Sequence, residues 1–151
     1  MALAAPTTSA ACFFRLDAQL FAVEGEYIQQ IVTVANLTPV PRTARSLLGV
    51  FAVRGSVVPL IDLGPLLALA GNTSATELAA LVTFEDRALA LKIDEVVGFS
   101  PLERSAMMPL QDAAAAVQHY GLGEVKRAGE RVTVLNIPTL LKTLEQELEV
   151  H

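Results

Sequence analysis

The side chains that most often do chemistry are few in this chain and badly placed for it. Two histidines, His119 and His151, and one cysteine, Cys12, share no spacing that could gather around a metal ion. Asp94 and Glu95 are adjacent, and neighbours in an extended chain point to opposite faces, so they cannot act as an acid/base carboxylate pair. A solvated turn at a strand end is the plainer account of them. Ser46, Ser100 and Ser105 have no histidine that the sequence puts beside them, and there is no glycine-rich phosphate loop, no G-x-S-x-G and no H-E-x-x-H. No catalytic residue, metal ligand or cofactor site is expected. Cys12 reads as a small buried hydrophobe at the edge of the first strand, and a lone cysteine fits a reducing compartment.

One cation stands out instead. Within Gly49-Val-Phe-Ala-Val-Arg-Gly-Ser-Val-Val-Pro-Leu-Ile-Asp-Leu63 a single Arg54 interrupts an otherwise apolar ribbon at a hairpin turn. An arbitrary turn arginine is merely solvated. The functional alternative is a recognition anchor: a planar guanidinium fork for a carboxylate or carbonyl, shielded by apolar surroundings.

The elements that must present Arg54 are mostly strands. Alternation predicts a hairpin of 13–17 and 20–24, then strands at 50–54 and 57–61 about Gly55 and Ser56. Pro59 lacks a ladder donor and calls for an edge or a bulge. Further strands are predicted at 78–85, 87–93, 96–100, 123–126 and 131–135. Helical spacing predicts one or two turns over 26–31 ahead of a strand at 32–35, and another turn over 44–48. A short helix is predicted over 62–69, capped by Asp62 and closed by Gly71, and a closing helix over 138–149, with Asn136 as its cap. The 111–118 segment reads as loop.

The repeat in the chain is more telling. Residues 48–67 lie over 122–141 without a gap, with six of twenty positions identical: Leu48/Leu122, Gly49/Gly123, Gly55/Gly129, Val58/Val132, Leu66/Leu140 and Leu67/Leu141. Each copy is strand, glycine turn, strand and capped helix, with Asp62 and Asn136 equivalent. A weaker match sets 14–23 over 82–91. Two copies of one small β-unit would have to pack together to bury enough surface.

Composition sets the outer bounds. With 52% apolar and 18% charged residues the 151-residue chain can build a core; with 5% aromatics that core is aliphatic. A net charge of −5 with no basic cluster argues against nucleic acid and against anionic membrane surfaces. The first positive charge is Arg15, so no secretory signal is expected; no apolar run reaches the roughly 18 residues of a membrane helix, and the location expected is cytoplasmic. Residues 1–11 are expected to be a flexible tail. Residues 12–149 are expected to form one domain of two halves, about 12–70 and 77–149, with strands free to exchange between them.

The Gly49–Leu63 segment resembles the signature of CheW-type chemotaxis coupling proteins, roughly G-V-x-N-L-R-G-x-x-V-P-V-I-D-L. Gly49, Val50, Arg54, Gly55, Val58, Pro59, Ile61, Asp62 and Leu63 match. The resemblance extends over about 13–144, through Phe21-Ala-Val, Ile28-Gln-Gln-Ile31, Pro39-Val-Pro and Ile93-Asp-Glu-Val-Val97. It implies an all-β fold with short helices: two packed, intertwined five-stranded SH3-like barrels plus a C-terminal helix. It also implies a non-enzymatic adaptor bridging the cytoplasmic tip of a chemoreceptor to the regulatory domain of a CheA-type histidine kinase. Carried over position by position, Ile28, Gln30 and Arg54 become receptor-contact candidates, and Gly49 and Gly55 backbone determinants of the groove. No motif carries over the kinase contacts. The chain departs from the family at Gln30 (usually an acid), Ala52 (usually Asn) and Gly64 (often Arg). On this reading Gln30→Glu is expected to tighten or broaden receptor binding. Two alternatives stay open, an adaptor of a paralogous array such as one governing type IV pili and a small-molecule-binding β-barrel. A hydrolase or transferase is the weakest reading.

Overall fold

A computed structural model describes residues 8–40, 46–69, 77–111 and 114–149. Among the described residues strands dominate: β1 (Thr8–Leu16), β2 (Gln19–Glu24), β3 (Ile28–Thr33), β4 (Leu47–Val53), β5 (Ser56–Ile61), β6 (Leu78–Phe84), β7 (Arg87–Ile93), β8 (Glu95–Glu103), β9 (Gly121–Arg127) and β10 (Glu130–Leu135). Helices α1 (Gly64–Leu67), α2 (Ala115–Tyr120) and α3 (Ile137–Glu149) join them, with a 3-10 turn at Arg104–Ala106.

The strands form two five-stranded sheets, ordered β8-β1-β2-β10-β9 and β3-β6-β7-β5-β4. Each curls until its outer strands meet. Thr38, beyond β3, exchanges backbone hydrogen bonds of 2.8 and 2.9 Å with Val50 on β4; Met108, beyond β8, exchanges two of 2.8 Å with Glu124 on β9. The first sheet is here barrel A and the second barrel B. Replacing β1–β5 by β6–β10 and the reverse turns one strand order into the other, so the repeat seen in the sequence is a real internal two-fold. The two parallel junctions obey it as well: Val134 pairs with Ala22 in barrel A, and Leu60 with Ala90 in barrel B.

The barrels therefore do not follow the 12–70 and 77–149 split; the exchange of strands between halves that the sequence left open is what occurs. Barrel A takes β1 and β2 from the first repeat and β8–β10 from the second, whereas barrel B holds β3–β7. Nor does the tail reach residue 11. Strand β1 starts at Thr8 because β8 runs on to Glu103 and offers Thr8–Ala11 partners, burying Ala11.

Strand exchange explains the continuous apolar runs. On β2, Leu20 and Ala22 fill barrel A while Phe21 and Val23 enter a central layer between the barrels. On β6, Ala79 and Leu81 fill barrel B while Ala80 and Val82 face that layer. Such strands are buried on both faces, and alanine recurs on the barrel side because a five-stranded barrel has little room. Leu63, Leu67, Val117, Tyr120, Ile137, Leu140, Leu141 and Leu144, on or beside the three helices, close the central layer.

Several local expectations are corrected. The 26–31 segment is a turn and strand rather than a helix. Ile28 pairs with Val82 and Gln30 with Leu81, so Gln29 is bulged out, and the extra residue gives apolar positions a helix-like spacing. Leu47 and Leu48 belong to β4, while residues 41–45 of the expected helical turn lie outside the described residues. The 111–118 segment contains the start of α2. Helix α1 ends at Ala68 in a left-handed conformation, and Gly71 lies outside the described residues. Pro59 sits on an interior strand. It is tolerated because Val50 directs its own backbone groups to Thr38, which turns Pro59 away from β4, and pairing with β7 begins only at Leu60.

Candidate functional site

The β4–β5 hairpin turns on Arg54 and Gly55, one residue earlier than the sequence suggests. Both have positive φ, 50° and 84°, the mark of a type I′ turn. Its internal counterpart, Ala128 and Gly129, has φ of 51° and 81°. Glycine adopts that conformation at no steric cost; arginine does not. Arg54 is exposed at the tip, and its Nη2 donates to Gln30 Oε1 at 3.2 Å. Strands β3 and β4 are the two outer strands of barrel B, so this hydrogen bond crosses the seam where the barrel closes. Arg54 and Gln30, 24 residues apart in sequence, are thus brought together.

Ile28 lies on the other side of the bulge, packed against the central core. On the outer face of the hairpin Ala52 pairs with Val57, which is 69% exposed. A guanidinium beside an exposed apolar pair is a surface suited to a protein carboxylate with apolar neighbours.

Gly49 acts at the other end of the seam. A Cβ there would stand 2.7 Å from the Thr38 carbonyl oxygen, so only glycine allows the bridge that closes barrel B. Gly123 does the same in barrel A, where a Cβ would meet the Met108 carbonyl oxygen at 2.7 Å. Gly55 has open space around it and serves the turn through its φ alone. The two expected caps differ. Asn136 Oδ1 accepts the Thr139 N–H at 3.1 Å and caps α3. Asp62 is one residue too early for that role in α1, where Leu63 holds the cap position; its carboxylate accepts the Gly64 N–H at 2.9 Å in a local turn.

The Arg54–Gln30 contact bears on the expectation for Gln30→Glu. A carboxylate in place of the amide would neutralise Arg54 within the molecule and compete with any incoming anion.

Other arginines are paired with carboxylates. Arg15 grips Glu130 with two bonds of 2.8 and 2.9 Å, which holds the Glu130 carboxyl below the usual carboxylate range. Arg104 grips Glu24 at 2.7 and 2.8 Å, and the Glu24 side chain is only 2% exposed. Cys12 lies mid-strand on β1, between β2 and β8, and burial pushes its thiol pKa up to about 11. Among the described residues no group of three or more histidine, cysteine, aspartate and glutamate side chains is placed to hold a metal, and no helix is long and apolar enough to cross a membrane.

Sequence reasoning singled out Arg54, Gly49 and Gly55. It missed that Gln30 meets Arg54 and that Thr38 and Met108 close the barrels, although the overlay of Gly49 on Gly123 was the available signal.

Twinned barrels share one apolar layer, and an outer hairpin presents Arg54 to solvent, an arrangement of a scaffold kind. The chain belongs to the CheW-like domain family, whose model matches residues 11–145. It is 21% identical to the chemotaxis protein CheW of Thermotoga maritima over 131 residues, covering 87% of this chain and 86% of that one. Protein FrzA of Myxococcus xanthus is 28% identical over 146 residues, with coverage of 88% and 85%. A crystal structure of the scaffolding protein TtCheW from Thermoanaerobacter tengcongensis superposes with a TM-score of 0.78 at 17% identity, covering 88% of this chain and 87% of that one; it shares the fold. The family is one of chemotaxis-type coupling adaptors and scaffolds rather than enzymes.

Proposed function

We propose that this adaptor works in the cytoplasm, joining the cytoplasmic tip of a chemoreceptor to the regulatory domain of a CheA-type histidine kinase. Arg54 is the receptor anchor, presented by the Gly55 turn and steadied by Gln30, with Ala52 and Val57 supplying apolar contact. The observation that carries this reading is the conformation of Arg54. An arginine occupies a turn position better suited to glycine or asparagine, and among the described residues its side chain has an amide partner but no carboxylate. Strain of that kind, kept at a surface tip, points to a function for the side chain.

The barrel interiors and the layer between them are filled by buried side chains such as Phe14, Leu91, Leu140, Val134 and Phe51. That filling favours docking at the outer surface over a ligand held inside the barrels. Arg54→Glu should fold normally and lose receptor-tip binding in a pull-down. Undiminished capture by that variant would remove Arg54 from the interface. Gln30→Glu should weaken the same binding, because the new carboxylate occupies the fork.

A further inference from the structure

The arginines of this acidic chain are not all used alike. Arg15, Arg87, Arg104 and Arg131 each lie within 4.0 Å of a carboxylate oxygen. Among the described residues two arginines have no carboxylate at that distance: Arg54, and Arg127 at the end of β9. Arg127 immediately precedes the Ala128–Gly129 turn, the counterpart of the Arg54–Gly55 turn under the internal two-fold. Its guanidinium lies over the Phe13 ring, 5.2 Å from the centroid, and Nη2 reaches Ser100 Oγ at 3.4 Å on β8. Strands β8 and β9 are the outer strands of barrel A, so Arg127 spans that seam as Arg54 spans the other. Where the seam opens there is a cleft of about 230 Å³, with Phe13, Leu102 and Val125 as an apolar floor, Arg127 half-buried beside it and Lys126 exposed at its rim.

We infer that this seam is a second docking site, which seats a carboxylate side chain flanked by apolar groups on the kinase-side partner. Stacking on Phe13 fixes the plane of the guanidinium, so its fork is oriented before the partner arrives. The positive charge of Lys126 and Arg127 is a local exception on a chain of net charge −5, and selects an anion. Glu103 also lines the cleft, three residues further along β8 than Ser100, and confines the anion to the Arg127 end. The assignment of the occupant to the kinase side rests on the coupling reading, in which Arg54 on the other barrel faces the receptor.

The test uses the full chain with two separate probes, a receptor-tip fragment and the kinase regulatory domain, each titrated calorimetrically. Arg127→Glu should weaken kinase-domain binding by about tenfold or more while receptor-tip affinity stays within about twofold, and Arg54→Glu should do the reverse. Lys126→Glu, at the exposed rim, should weaken the same kinase-domain binding by several-fold and serves if Arg127→Glu fails to fold. Kinase-domain affinity unchanged in both β9 variants would overturn the inference. So would loss of receptor binding in Arg127→Glu, or an effect of the β9 variants on self-association alone. A wild-type chain that binds the receptor tip but not the kinase domain would overturn it while leaving Arg54 in place; one that binds neither would overturn the coupling reading itself.

Discussion

At Arg54 stability and function pull in opposite directions. The first position of a type I′ turn favours asparagine, which tolerates positive φ, whereas an ordinary side chain such as arginine there carries a cost of roughly 1–2 kcal/mol. Arg54→Asn should therefore raise the melting temperature by a few degrees while abolishing receptor capture, and calorimetry beside a pull-down reads both. A fall in melting temperature would mean that the Gln30 hydrogen bond outweighs the turn strain. Arg54 was legible in the sequence because it is the only cation in a long apolar ribbon. Arg127 was not, because Glu124-Val-Lys-Arg-Ala-Gly-Glu-Arg131 is dense in charge and nothing in it tells a paired arginine from an unpaired one. That distinction exists only once the fold has brought Glu130 to Arg15 and Glu124 to Arg131.

Among the elements, the hairpins could be read almost to the residue and the seams could not. Two-residue turns leave a local mark in alternation and glycine, whereas the Thr38–Val50 bridge joins irregular chain to a strand and leaves none. The bulge at Gln29 misled for a related reason: one extra residue shifts the two-residue period of β3 towards that of a helix. Gly49→Ala tests the seam directly. Its new Cβ must displace the Thr38 carbonyl, so the variant should lose about 1–3 kcal/mol by chemical denaturation, a typical cost of overpacking. It should also expose the Thr38 and Val50 amides to hydrogen exchange earlier than the rest of barrel B. Protection equal to wild type at both amides would refute a role for Gly49 in closure.

Over the whole molecule, the repeat was visible in sequence but its division into barrels was not. Neighbouring segments usually pair with one another, and here the first hairpin of each repeat crosses to the other barrel. Side-chain pairs tie the repeats together: Arg15 with Glu130, and Glu24 with Arg104. The first gives stability a pH dependence of definite sign. Glu130 has its folded pKa below the ordinary value of 4.5, so its contribution is complete above that pH and disappears as the pH falls through the lower folded value. Glu130→Gln should consequently flatten the acid side of the stability curve below about pH 4.5 relative to wild type. Parallel acid curves for the two proteins would show that the pair contributes nothing. Cys12 offers a separate gauge of global opening: buried, with its thiol at about 11, it should react with a thiol reagent only as fast as the protein unfolds.

The crossing of the first hairpins also sets a timetable for synthesis. Barrel B has all its strands once Ile93 has left the ribosome, but β1 and β2, made first, must wait for β10, which ends at Leu135. Until then Phe14, Phe21 and Val23 have incomplete cover, so the nascent domain is most exposed to aggregation at its first hairpin. A ribosome stalled between these two points would hold one finished barrel tethered to an orphaned ribbon, a natural target for a chaperone.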